Sequence, residues 1–165
     1  MKNRKLLAML LTVCLTFAAL FVLVACEDKN ENKPLTGTLT ITVGEKDYAV
    51  DLAEAKMYEK NSLFDAMEYL CAKDKADSSK KDEDKFSYTG SFSSYGAFIN
   101  TINGLELAER QYVALFVSDE QYKDTSAYAL ADKTVGGTTY YYSGVGVSGI
   151  KLADGLKVLF VVESY

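Results

Sequence analysis

Thr38-Leu39-Thr40-Ile41-Thr42-Val43 alternates polar and apolar residues without a break, which puts Leu39, Ile41 and Val43 on one face of a strand. Gly44 to Asp47 reads as a turn, and Tyr48, Val50 and Leu52 alternate again, so the pattern predicts a hairpin with one buried face. The period then changes. Leu63, Met67, Leu70 and Cys71 recur at helical spacing behind a cap at Asn61 or Ser62, and Asp65 follows Ser62 as a short form of the capping box. The predicted helix packs its apolar stripe on the hairpin, and Cys71 reads as a small core residue on that stripe. Lys73 to Lys85 carries no large apolar side chain and is expected to be an exposed, mobile loop.

After Phe86 the pattern is that of strands. Ala97–Ile102 is one, followed by Asn103-Gly104 as a tight turn. Tyr112–Val117 is a continuous apolar run of the length of a central strand, and Thr138–Tyr142 and Leu156–Val162 follow, the last entered through Asp154-Gly155. Two strands, a helix and then several strands predict an α+β sheet with its helix on one face.

The longest uncharged run, Leu6–Ala25, follows Lys2, Arg4 and Lys5 and ends in Leu23-Val24-Ala25-Cys26 before a polar stretch. A positive start, an apolar middle and a small-residue end mark an export signal. A cysteine directly after the small residue makes it a lipoprotein signal, with lipidation expected on Cys26. A membrane-spanning helix would need roughly 20 apolar residues, which this run could just supply, but it would not explain the Leu-Val-Ala-Cys box. Since one acyl chain anchors only weakly, a diacyl or triacyl group is expected. The expected organisation is a cleaved signal over 1–25, a lipidated tether over 26–37 and one domain over 38–165. The expected location is extracytoplasmic, on the outer face of the cytoplasmic membrane of a Gram-positive type of cell.

Charge narrows the partners. The 165 residues hold 18 Lys and Arg against 23 Asp and Glu. Cleavage of 1–25 would remove three of the cations and no acid, so an anionic chain becomes more so. That argues against nucleic acid, whose binding depends on cations neutralising phosphates. Of three cysteines, Cys14 leaves with the signal and Cys26 takes the lipid, so Cys71 would have no disulfide partner. No histidine occurs in these residues, which excludes Ser-His-Asp and Cys-His machinery and histidine-ligated metal within them. Asp82-Glu83-Asp84 lacks the ligand spacing of a calcium loop, and the glycines of 144–149 are spaced wrongly for a phosphate cradle. No enzyme, metal site or resident cofactor is expected.

Tyrosine is the unusual component, with twelve, against eight phenylalanines and no tryptophan. Its flat ring, hydroxyl and few rotors suit adaptable recognition, although tyrosine also favours half-buried strands. Tyr95, Tyr122, Tyr140 and Tyr142 are the candidate ligand-binding residues.

Several segments together resemble the transcobalamin-like C-terminal domain of bacterial surface proteins. These are the strand–turn–strand of Leu39–Leu52 with Ser62-Leu63-Phe64-Asp65-Ala66-Met67, and Tyr95-Gly96-Ala97-Phe98 leading into Ile102-Asn103-Gly104. Tyr112–Val117 and the closing Gly146–Gly155 segment with its last strand complete the likeness. The resemblance implies a β-grasp fold, one main helix packed on a mixed sheet, related to soluble ligand-binding β-grasp domains. Two departures stand out: the tryptophan usual near Tyr112 is missing, and residues 123–143 resemble a β insertion where the family has a short loop. In transcobalamin this domain covers one face of cobalamin, so the resemblance makes corrinoid capture or hand-off to a transporter the alternative expectation. The leading expectation is a membrane-anchored, non-catalytic module that binds an unidentified small ligand or surface protein. A structural role in the cell envelope is the third.

Overall fold

The computed structural model describes residues 33–93, 96–105 and 107–164, which form one compact unit beginning at Lys33. The signal segment, Cys26, Tyr95 and most of the expected tether lie outside the described residues. The packed body starts ahead of the expected boundary at 38. Leu35 is buried, its N–H donates to the Met57 carbonyl at 3.0 Å, and the Thr36 and Gly37 N–H groups donate to the Asp154 carboxylate at 3.1 and 2.8 Å.

The hairpin forms as the alternation requires. Strands β1 (Thr38–Val43) and β2 (Lys46–Asp51) pair antiparallel, Leu39 opposite Val50 and Ile41 opposite Tyr48, and all four side chains are buried. Helix α1 (Leu63–Ala76) is capped by Ser62 rather than Asn61. The Ser62 hydroxyl accepts from the Asp65 N–H, and the Asp65 carboxylate accepts from the Ser62 N–H at 2.7 Å. This is the reciprocal capping box that satisfies two orphan donors at a helix start. Leu63, Ala66, Met67 and Leu70 face inward.

The expected charged loop is only partly a loop. Lys73 to Ala76 continue the helix, and Asp74 is buried at 2% exposure. Its two oxygens accept from the Lys80 ammonium at 2.6 Å and the Phe86 N–H at 2.9 Å. Hydropathy alone misreads this segment, because a carboxylate bonded on both oxygens occupies an inward position that an apolar residue would normally take.

Beyond it lie β3 (Tyr88–Ser93), β4 (Gly96–Ile102), β5 (Gln111–Val117), β6 (Lys133–Val135), β7 (Thr138–Tyr142) and β8 (Lys157–Ser164). Six strands make one sheet in the order β2-β1-β8-β5-β7-β6, while β3 and β4 form a separate two-stranded ribbon. β8 runs parallel to β1 and antiparallel to β5, so the sheet is mixed and its last strand is central. The protein is thus α+β, with one helix on a mixed sheet. Asn103 and Gly104 both take positive φ, +48° and +66°, as the tight-turn signal predicts, yet the chain then leaves the ribbon, because β5 pairs with β8 and β7.

Both sheet faces are covered. The main core joins the β1–β2 face, α1, Ile150, Val158 and Phe160. A smaller cluster of Ala114, Phe116, Tyr140 and Leu159 has Leu130 packed against it. Leu130 and Tyr140 both belong to the 123–143 segment, which therefore covers the second face of the central strands.

Candidate functional site

Between β4 and the Tyr142–Val147 segment lies an open cleft of about 320 Å³. Val113, Leu115 and Phe160 form much of its apolar lining, and Tyr112, Asp124, Tyr142 and Ser143 supply its polar groups. Val113 and Leu115, on a central strand, are only half-buried: they pack against the main core and also line the cleft.

The wall formed by β4 is held by close backbone approach. At Gly146 a Cβ would lie 2.4 Å from the Ala97 carbonyl oxygen, a contact no side chain tolerates, so glycine is what lets the two segments touch. Two residues on, the Ser148 hydroxyl accepts from the Ala97 N–H at 3.0 Å. The opposite wall is tied down by the Asp124 N–H, which donates to the Tyr142 carbonyl at 2.8 Å, and by the Ser143 hydroxyl, which donates to the Val145 carbonyl at 2.8 Å.

The four candidate tyrosines have different fates. Tyr142 lines the cleft, its ring 5.4 Å from that of Phe116. Burial, then the charge and hydrogen bond of Tyr112 and the nearby Asp124, push its phenol up to about 12. It is therefore a neutral hydroxyl at physiological pH. Tyr140 is 4% exposed in the smaller core cluster, in hydrogen-bond contact with Thr42. Tyr122 packs against the main core, and its hydroxyl accepts from the Lys151 N–H at 2.8 Å. Burial raises its pKa above the ordinary value even though that bond opposes the shift. Tyr140 and Tyr122 are thus spent on the fold, where strand geometry and a backbone partner use their hydroxyls. Tyr95 lies outside the described residues. Tyr112, Val113 and Leu115 were missed as site residues because a continuous apolar run reads as a buried strand. No signal in the run itself marks its cleft-lining portion.

Cys71 is half-buried, and its thiol is pushed up to about 11 by burial first and by Glu68 and Asp74 next. At neutral pH it is a protonated thiol, a poor nucleophile. Asp82, Glu83 and Asp84 are each paired with a lysine, at 2.8, 3.6 and 3.2 Å to Lys85, Lys81 and Lys46. Among the described residues no group of three or more His, Cys, Asp or Glu is placed to hold a metal ion, and no helix is long and apolar enough to cross a membrane.

No family model matches the chain, and no curated protein matches it either. Among solved structures it is similar to a protein from Ruminococcus gnavus ATCC 29149 provisionally described as metal-binding, at 13% identity and a TM-score of 0.42, covering 78% of this chain and 95% of that one. It is also similar to haptocorrin in complex with Cbi, at 16% identity and a TM-score of 0.46, covering 78% of this chain. Only 25% of the haptocorrin chain is spanned. Likenesses at this level say nothing about what this chain binds.

Proposed function

We propose that this chain is a non-catalytic binding module, held through a lipidated Cys26 to the outer face of a membrane, which takes a small ligand or a partner's side chain in the cleft beside β4. The cleft itself carries the reading. Its volume falls at the lower end of the range of ligand sites, and its lining combines apolar side chains with several polar groups. Tyr142 and Tyr112, hydrogen-bonded to each other, and Asp124 are its polar and charged lining. The β-grasp assignment is supported by the strand order, in which the first hairpin, one helix and a central last strand parallel to β1 enclose the core.

The full chain in phosphatidylglycerol nanodiscs, titrated with a small-fragment set and followed by amide chemical shifts, tests the cleft. Changes centred on Val113, Leu115 and Tyr142, weakened about tenfold by Tyr142→Ala, are expected. Ligands that bind without moving those signals would place the site elsewhere. Cobalamin and cobinamide belong in the same titration because of the family resemblance. A corrinoid is far larger than the cleft and would have to rest across its mouth. Intact-mass measurement on protein from its native host tests the anchor, with an unmodified Cys26 as the result that removes it.

A further inference from the structure

A second cavity, of about 290 Å³, opens between α1 and the β3–β4 ribbon. Phe64 and Glu68 stand four residues apart on the helix and so share a face. Tyr88 and Phe92 stand four apart on β3 and likewise share one. Gly90, between them, lets β3 lie close to β4, since a Cβ there would meet the Phe98 carbonyl oxygen at 2.6 Å, and the three rings line the cavity together.

The rings are arranged edge to face. Phe64 meets Phe92 at 5.4 Å and 78°, and Tyr88 at 6.4 Å and 75°. Phe92 nevertheless remains 74% exposed, so burial does not account for its place there. The one charged group lining the cavity is the Glu68 carboxylate, which accepts the Tyr88 hydroxyl. That bond fixes the carboxylate beside the rings and enriches the phenol's π-system. Elsewhere lysine ammoniums stand over Tyr58, Tyr69, Tyr141 and Phe116. Among the described residues none caps Phe64, Tyr88 or Phe92.

Aromatic faces carry negative quadrupole and attract a cation placed over them, most of all one whose hydration is weak, such as an alkylated ammonium. A carboxylate at the edge adds direct charge complementarity. We propose that Phe64, Tyr88, Phe92 and Glu68 form a binding site for an alkylated ammonium group, of the trimethylammonium type, separate from the cleft of the proposed function. The two cavities share only Ala97, Phe98 and Ile99 of β4.

Choline and its uncharged isostere 3,3-dimethyl-1-butanol, titrated against the full chain in phosphatidylglycerol nanodiscs, separate charge from shape. Choline is expected to bind with a dissociation constant on the order of 1 mM, about fivefold tighter than the isostere, and to shift the signals of Tyr88 and Phe92. Glu68→Gln should weaken choline about threefold and leave the isostere unchanged. Phe92→Ala, at an exposed position, should abolish choline binding while the melting temperature stays as it was. Glycerophosphocholine in parallel distinguishes sources. Binding equal to choline assigns the site to a headgroup-borne ammonium, and failure to bind assigns it to a free one. Equal binding of choline and the isostere, or no response at Tyr88 and Phe92 with choline at high millimolar concentration, overturns the proposal.

Discussion

Two of the antiparallel hairpins, β1–β2 and β3–β4, are of nearly equal length and opposite character. β1–β2 buries Leu39, Ile41, Val43, Tyr48 and Val50 against the helix, whereas β3–β4 buries only Ala97 and Ile102 and leaves five of the six β3 residues exposed. The first is held by its side chains and belongs to the core. The second is anchored to the core at Ala97 and Ile102, by a glycine approach, one serine hydroxyl and a few aromatic edges, and it borders both cavities. On the proposed reading, stability and recognition are carried by different hairpins. Backbone pairing alone does not make a ribbon part of the core, and substitutions in the two should have separable effects.

The sharpest break of that division is Ile41→Ala. Ile41 is fully buried, and removing its branched chain should cost about 3 kcal/mol, visible as an earlier denaturation midpoint with the slope unchanged. A midpoint within experimental scatter of the parent would mean that the first hairpin is not the keystone. Gly146→Ala tests the second hairpin. The added methyl meets the Ala97 carbonyl and should cost about 1–2 kcal/mol while speeding hydrogen exchange at the Ala97 amide, with little change at β1. Equal acceleration in β1 would show the hairpins to be one cooperative unit. The smallest effect is a pH dependence. At Asp65 burial opposes ionisation, but the hydrogen bonds from Ser62 and Asn61 and the charge of Lys151 outweigh it and hold the carboxyl below its ordinary value. Its folded pKa being lowered, the carboxylate stabilises the helix start above the unfolded pKa of about 3.9, and that contribution is lost as pH falls through the folded value. Asp65→Asn should melt earlier than the parent at pH 7 and with it near pH 2. A gap that persists in acid would assign the effect to the side chain's shape rather than its charge.

The same contrast explains what could be read from the residues alone. β1, β2 and the helix were legible because each has one buried face, and period 2 or 3.6 then stands out in the pattern. β3, with Thr89, Ser91 and Ser93 alternating with Tyr88, Gly90 and Phe92, touches the core only through Tyr88 and left no such trace. Asp74 and Leu35 both read as exposed and are both buried. A buried carboxylate looks like loop until its two partners are known, and a lone leucine in a polar stretch looks like tether until Met57 is beside it. Tyrosine composition pointed to recognition, but residue type does not say whether a ring faces a cleft or a core. Strand direction decided that for Tyr140, and a backbone N–H decided it for Tyr122. The β4 wall and the β3–β4 ribbon depend on Gly146 and Gly90, whose contribution is to let a neighbouring carbonyl come where a side chain would stand.

The parallel pairing of β1 with β8 has a further consequence, for the order in which the chain can assemble. Thr40 lies beside Lys157 and Val43 beside Phe160, so the earliest strand to be synthesised must wait for the final one before its open edge is closed. Until then Leu39 and Ile41 have only the β2 ribbon and the helix for shelter. Closure of so distant a pair is entropically slow. A nascent chain in which β8 has not yet emerged would present a bare, apolar strand edge, the surface that holdase chaperones recognise and proteases clear.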